Sequence, residues 1–255
     1  MKPTVCILRT DGTNCDEELF YALEKYGAKC QNVHVNELRS NSQKLANFQI
    51  LALPGGFSYG DDIASGKVLA IELISFLADQ LNNFVNKKGL ILGVCNGFQT
   101  LIRTGLLPFN NFGKMDATLA QNMSGHFECR WIKIRLENSP CVFLKSTNQI
   151  LEIPVNHGEG KFYAPIDTLG KIEKQNLVVF RYVDEKGIPT QKYPQNPNDS
   201  QNAIAGICDP TGRILGLMPH LEKFVDITQH PNWRRFNIKQ SHGSLIFKGM
   251  VNYFK

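Results

Sequence analysis

Short apolar runs rich in β-branched residues alternate along this chain with stretches whose apolar residues recur at helical spacing. Thr4–Arg9 (TVCILR) reads as a buried strand. The turn Asp11-Gly12-Thr13-Asn14 leads into a helix, with Asn14 or Asp16 as its cap and Glu17 and Glu18 at its positive end. Gly27 is placed to close that helix in the left-handed conformation. Gln31–Val35 and Phe48–Leu53 read as the next strands. From Ile63 to Val85, residues such as Val68, Leu69, Ile71, Leu73, Leu77 and Leu81 predict one long helix. Gly89–Val94 is a further buried strand, and it runs through Cys95 into a helical pattern over Phe98–Leu106.

Strands and helices in this order imply parallel pairing and a doubly wound α/β fold with a mostly parallel sheet. After about residue 113 the period shortens. Glu128–Leu136 and Pro140–Leu144 alternate apolar and polar residues, as antiparallel strands do. Leu177–Val183, Ala203–Cys208 and Arg213–Met218 are further strand candidates, and Gly187–Asn202 reads as a loop. The expected organisation is one α/β domain over residues 1–225, its second half antiparallel and β-rich, followed by an extension over 226–255.

Composition narrows the function classes. With 255 residues, 42% of them hydrophobic and 20% charged, the chain is neither disordered nor fibrous. No apolar run approaches the roughly 20 residues of a membrane span, so no membrane association and no secretory leader are expected. Seven cysteines without a C-x-x-C pair point to a reducing, cytoplasmic setting and to no metal site. The net charge of +5 sits wholly in the extension: residues 1–222 balance 22 basic against 22 acidic side chains, whereas 223–255 set six basic residues against Asp226 alone. A neutral body argues against nucleic acid as a partner. The basic extension, with Trp233, Phe236, Phe247, Tyr253 and Phe254, is expected to pack on the domain or on a protein partner.

The segment richest in chemistry is Gly93-Val94-Cys95-Asn96-Gly97, between a buried strand and a helix. It has the form of a nucleophile elbow with Cys in the place of Ser. The sharp turn crowds its flanks, which must be small, and puts Cys95 at a helix N-terminus, where the dipole favours a thiolate. The N–H of Asn96 is then free to face a developing oxyanion. The other six cysteines, Cys15 among them, lack such flanks and read as structural.

A thiol nucleophile needs a base. His220 follows the buried run Ile214–Pro219, which delivers it to a strand end, and Glu222 can orient its ring. The segment Pro54-Gly55-Gly56-Phe57 follows another buried strand, and its glycines let backbone N–H groups approach a ligand. It lacks the Lys-Ser/Thr of a phosphate-binding loop. Asn156-His157-Gly158-Glu159-Gly160 is a second polar, glycine-flanked cluster and a candidate for substrate contact.

Together PGGFSYGDD, GVCNGFQ, NHGEG and a late PHLE resemble class I, triad-type glutamine amidotransferases, and more narrowly the glutaminase subunits of phosphoribosylformylglycinamidine synthase. The early Gly12-Thr13-Asn14-Cys15-Asp16 is similar to that family's N-terminal turn. The resemblance implies a flavodoxin-like class I glutaminase fold and glutamine as substrate. It implies Cys95 as nucleophile, His220 as base and Glu222 as its orienter, with an oxyanion hole from Gly56 or Phe57 and Asn96. Gly55, Gln99, Asn156, His157, Gly158 and Glu159 would surround the substrate. No cofactor is implied on this chain. Ammonia would pass to a PurL-type synthetase subunit that uses ATP and Mg, with a PurS-type small subunit completing the complex. The chain departs from the pattern at Leu221, where Pro is frequent, and at Lys223, where Arg is frequent. A stand-alone γ-glutamyl or cysteine hydrolase, and a non-catalytic interaction subunit, are the alternatives.

Overall fold

The computed structural model describes residues 2–145 and 148–255. A nine-stranded sheet forms its spine, in the order Lys29–His34, Thr4–Arg9, Ile50–Leu53, Leu90–Val94, Ile214–Leu217, Ile204–Cys208, Val178–Tyr182, Glu128–Leu136, Ile150–His157. The parallel half consists of β1 (Thr4–Arg9), β2 (Lys29–His34), β3 (Ile50–Leu53), β4 (Leu90–Val94) and β11 (Ile214–Leu217). From β11 onward the pairing turns antiparallel through β10 (Ile204–Cys208), β9 (Val178–Tyr182), β6 (Glu128–Leu136) and β7 (Ile150–His157). A small second sheet pairs β5 (Thr118–Gln121) with β8 (Glu159–Tyr163). The central strands β3, β4, β10 and β11 are buried along their whole length, which is why they read as continuous apolar runs.

The helices are α1 (Asp16–Lys25), α2 (Val35–Ser40), α3 (Lys67–Phe76), α4 (Ala78–Asn86), α5 (Asn96–Thr104), α6 (Ile166–Lys174) and α7 (Ser244–Asn252). Three sequence expectations change here. The single helix over Ile63–Val85 is two helices meeting at 82°, with buried Leu77 at the break. It starts only at Lys67, because Ile63 and Gly66 both adopt positive φ. No single helix among the described residues is long and apolar enough to cross a membrane.

Pro140–Leu144 is not a strand. Its alternation reflects burial of Cys141, Phe143 and Leu144 in an irregular loop, closed by a turn from Leu144 N to Cys141 O. The helix expected after the first turn is real, but Cys15, not Asn14 or Asp16, occupies its cap position, and no side chain caps it. Asp16 instead pairs with Arg9 at 2.6 Å, and the Cys15 thiol donates to Asn14 Oδ1 at 3.2 Å.

The extension carries α7, whose Ile246, Phe247, Met250 and Val251 are buried in the main core. The backbone fits tightly: a Cβ on Gly249 would lie 1.9 Å from the Phe143 carbonyl oxygen, and one on Gly243 would lie 1.8 Å from that of Leu221. Asp226 accepts from Tyr21 Oη at 2.8 Å and pairs with Lys25. His230 stacks edge-on against Trp131, with centroids 4.6 Å apart.

Candidate active site

The nucleophile elbow forms between β4 and α5. Cys95 has φ +52° and ψ −107°, a conformation an L-residue holds only when its surroundings enforce it. Its N–H donates to Leu217 O at 2.8 Å, tying it to β11. The flanking glycines are required by packing. A Cβ on Gly93 would sit 2.7 Å from the Gly97 carbonyl, and one on Gly97 would sit 2.0 Å from Leu53 O.

His220 follows β11 and Pro219, and its Nδ1 lies 2.5 Å from Glu222 Oε1, with both side chains buried. Burial works against a charge on the ring, but Glu222, Cys95 and Cys15 outweigh it and hold the His220 pKa well above the ordinary histidine value. Nε2, the nitrogen not bonded to Glu222, is buried without a hydrogen-bond partner in the resting site. Gly55 is wedged among these groups: a Cβ there would lie 2.7 Å from the His220 ring and 3.4 Å from both Cys95 Cβ and Cys15 Sγ. Only glycine lets the imidazole and the two thiols approach this closely.

The Pro54–Phe57 loop is bridged to the N-terminal turn. Phe57 N donates to Gly12 O at 2.9 Å and Asn14 N donates to Gly55 O at 3.4 Å. Thr13 and Gly56 therefore face each other at the non-hydrogen-bonded position of this bridge, and the bridge does not consume the Gly56 N–H. Of the two expected loop donors, Gly56 is available and Phe57 is engaged. Gly56 holds φ +142°, and a Cβ there would meet Asn14 N at 2.7 Å. Asn96 locks the loop to α5: its side chain donates to Asp61 Oδ1 at 2.9 Å and accepts from Ser58 N at 3.4 Å. Burial raises the Asp61 pKa, opposed by bonds from Ser65, Gly66 and Asn96.

The edge strand β7 reaches the same point. The Cys95 thiol donates to Asn156 O at 3.5 Å, His220 N donates to Pro154 O at 2.9 Å, and Glu152 N donates to His242 Nδ1 at 2.8 Å. The free edge of β7 is thus bonded, at every second residue, to the elbow, the histidine loop and the extension. The carbonyl of Leu221 rests against Gly243, so Leu221, buried in place of the frequent proline, is held by packing.

A cavity of about 240 Å³ opens over Cys95, lined by Asn14, Cys15, Gly56, Phe57, Phe127, Asn156, His220 and Lys223. Larger cavities of about 600 and 520 Å³ lie away from the thiol, beside Tyr193 and beside Phe236, and are lined by none of Cys95, His220 and Glu222. The expected residues divide into two groups. Cys95, His220, Gly56, Phe57 and Asn156 line the cavity, and Gly55, Asn96 and Glu222 adjoin them in the chain or by contact. Gln99, His157, Gly158 and Glu159 stand behind its wall. Gln99 Nε2 donates to Glu159 O at 2.5 Å, and the Glu159 side chain accepts from Ser65 N at 3.3 Å and faces Arg103 at 3.8 Å. His157 is fully buried with Nδ1 3.0 Å from Asn122 Oδ1, and Asn122 N donates to Gly158 O at 2.8 Å. Burial pushes the His157 pKa down to about 3.

Sequence reasoning passed over Cys15 and missed Phe127, whose ring stands 6.3 Å from that of Phe57 at the cavity mouth. Lys223 stood out only as a departure from a pattern. Its spacing, three residues after His220, was the available signal. Cys15 Sγ, a His220 ring nitrogen and a Glu222 oxygen lie within 4.8 Å of one another, the one metal-like grouping among the described residues. Two of its three members are already bonded to each other as the His–Glu pair.

The sequence matches the CobB/CobQ-like glutamine amidotransferase domain over residues 2–254. It is 44% identical to the phosphoribosylformylglycinamidine synthase subunit PurQ of Dehalococcoides mccartyi, over 99% of this chain and 98% of that one. It is 40% identical to the subunit of the same name in Methanococcus maripaludis, over 99% and 97%. A chain in the structure of PurLQS from Thermotoga maritima superposes with a TM-score of 0.75 at 31% identity, over 100% of both chains. The chain belongs to the CobB/CobQ-like glutamine amidotransferase family, as one of its PurQ-type members.

Proposed function

We propose that this chain is the glutaminase subunit of a phosphoribosylformylglycinamidine synthase, hydrolysing glutamine to glutamate and ammonia for de novo purine synthesis. The observation that carries the reading is the strained Cys95 at the floor of a small cavity lined also by Gly56 and by His220, whose ring is held from behind by Glu222. Cys95 gives its thiol proton to His220 Nε2, and Sγ attacks the side-chain amide carbon of glutamine. The tetrahedral oxyanion accepts hydrogen bonds from Gly56 N and Asn96 N. His220 Nε2, held by Glu222 through Nδ1, delivers a proton to the leaving nitrogen, and ammonia departs from a γ-glutamyl thioester. A water molecule, deprotonated by His220, then cleaves the thioester to glutamate and the free thiol.

Gln99, His157, Gly158 and Glu159 serve this pocket from behind, fixing β7, β8 and α5 around Asn156 and Asn96. Residues 226–255 act as a packed part of the glutaminase body, since α7 shares its core. Ammonia passes to a PurL-type synthetase subunit in the cytoplasm. That partner uses ATP and Mg to convert formylglycinamide ribonucleotide to the amidine, with a PurS-type subunit in the assembly.

The test is glutamine hydrolysis by the purified chain, alone and with the two partner subunits, ATP and Mg, with Cys95→Ala as control. Hydrolysis that is weak alone, rises with partners and vanishes in Cys95→Ala is the expected result. Full activity alone identifies a stand-alone hydrolase. No activity in any mixture identifies a non-catalytic subunit.

A further inference from the structure

We infer that Lys223 binds the α-carboxylate of glutamine and thereby restricts the site to amides that carry a free amino-acid head. The inference deepens the glutaminase reading and rests on it.

Three observations meet at this side chain. The first is placement. His220 and Lys223 begin and end a single 3-10 turn, closed by Lys223 N donating to His220 O at 3.3 Å. Side chains three residues apart on such a turn eclipse one another, about 6 Å apart along its axis. Both therefore face the cavity over Cys95, whereas Glu222 between them is buried behind His220. A substrate whose amide lies between Cys95 and His220 extends its chain along the direction in which Lys223 stands.

The second observation is charge. Among the described residues Lys223 is the only lysine or arginine lining the cavity, and no carboxylate lines it. Among the described residues its ammonium enters no ion pair. Its neighbours toward the cavity are the Cys15 thiol and the Asn156 amide, whose oxygen lies 3.3 Å from Nζ when the amide nitrogen donates to Val155 O. A partly buried cation with no carboxylate at ion-pair distance among the described residues, facing an open cavity, is poised to take an anion from the ligand.

The third observation is that the cation is kept charged. Burial disfavours the ammonium, and Cys15 and Glu222 more than compensate, raising its pKa above the ordinary lysine value. The neutral Asn14 and Asn156 remain for the α-ammonium of the same substrate.

The test uses the assembled complex with ATP and compares L-glutamine with its α-carboxamide, in which a neutral amide replaces the carboxylate, by ammonia release. Lys223→Met is expected to raise KM for glutamine about ten- to a hundredfold, with kcat little changed, as loss of one charge-assisted contact does. The wild type is expected to show a similarly raised KM for the α-carboxamide, Lys223→Met to raise it no further, and Lys223→Arg to restore glutamine binding. Calorimetry in the Cys95→Ala background provides a readout independent of turnover: Lys223→Met should weaken glutamine and leave the α-carboxamide unchanged. Equal losses for both ligands, or an unchanged KM ratio, would overturn the inference and make Lys223 a structural or partner-docking residue. A wild-type complex that hydrolyses neither compound would instead bring down the glutaminase reading itself.

Discussion

Gly97, at the start of α5, packs directly against the carbonyl of Leu53, at the end of β3, so closely that a Cβ on Gly97 would lie 2.0 Å from Leu53 O. Two neighbouring strands are thereby clamped under the nucleophile: β4 feeds the elbow, and β3 abuts the first turn beyond it. Gly97→Ala should destabilise the fold by about 3 kcal/mol or more through overpacking against backbone that cannot yield. Gly113→Ala is the control. Gly113 also has positive φ, +87°, but a Cβ there meets nothing within 4 Å. Its cost should stay near 1 kcal/mol. Urea denaturation of the two variants measures the difference.

Glu222→Gln keeps the shape of the His220 partner and removes its charge. Glutamine hydrolysis should fall about 10²–10⁴-fold, because the imidazolium formed during catalysis loses its counter-charge. The same variant has a stability signature. The His220 pKa is raised in the folded state, so its contribution is complete below the ordinary value near 6.5 and is lost as pH climbs through the folded value. Denaturation midpoints from pH 6.5 upward should therefore decline more steeply in the wild type than in Glu222→Gln.

His157 has the opposite sign. Burial lowers its pKa to about 3, so the unfolded chain takes up a proton between about pH 6.5 and 3 that the folded chain refuses. Stability should drop with acidification across that window, by up to ~1.4 kcal/mol per pH unit from this one group. His157→Gln should be less stable at neutral pH and show a flatter acid limb in the same denaturation series.

Phe247 is fully buried and Phe236 is 60% exposed, although both belong to the basic C-terminal segment. Phe247→Ala should cost about 3–5 kcal/mol, as large-to-small changes in a packed core do. Phe236→Ala should stay within about 0.5 kcal/mol. Thermal melting of the two proteins distinguishes an integral α7 from an appendage.

Much of this was legible because the informative residues obey local rules. Thr4–Arg9 and Glu128–Leu136 were delimited to the residue, since an uninterrupted apolar run and a strict alternation have few other readings. Cys95 was legible because an elbow imposes its glycines locally. The misses share a different cause. The alternation of Pro140–Leu144 came from long-range packing under α7 and the Gly212 turn, with Val142 N donating to Gly212 O at 3.0 Å. Asp16 resembled a cap but is drawn to Arg9. β7, β8 and α7 were not anticipated as elements, because their burial depends on partners 15 or more residues away in sequence, such as β5, β6 and the Phe143 loop. Lys223 and Cys15 became site residues only when folding brought the turn after β11 beside the start of α1.

The bonds that seal β7 have a consequence beyond chemistry. An outermost strand offers unpaired backbone groups to any similar strand from another molecule, a common route to aggregation. Here Pro154 presents no N–H on that border, and the Glu152 N–H and the carbonyls of Pro154 and Asn156 are taken by His242, His220 and Cys95. The residues proposed to carry the reaction also cover the sheet's border, so damage that loosens the histidine loop uncovers edge-strand backbone at the same moment. Solubility and turnover are thereby bound to the same few residues.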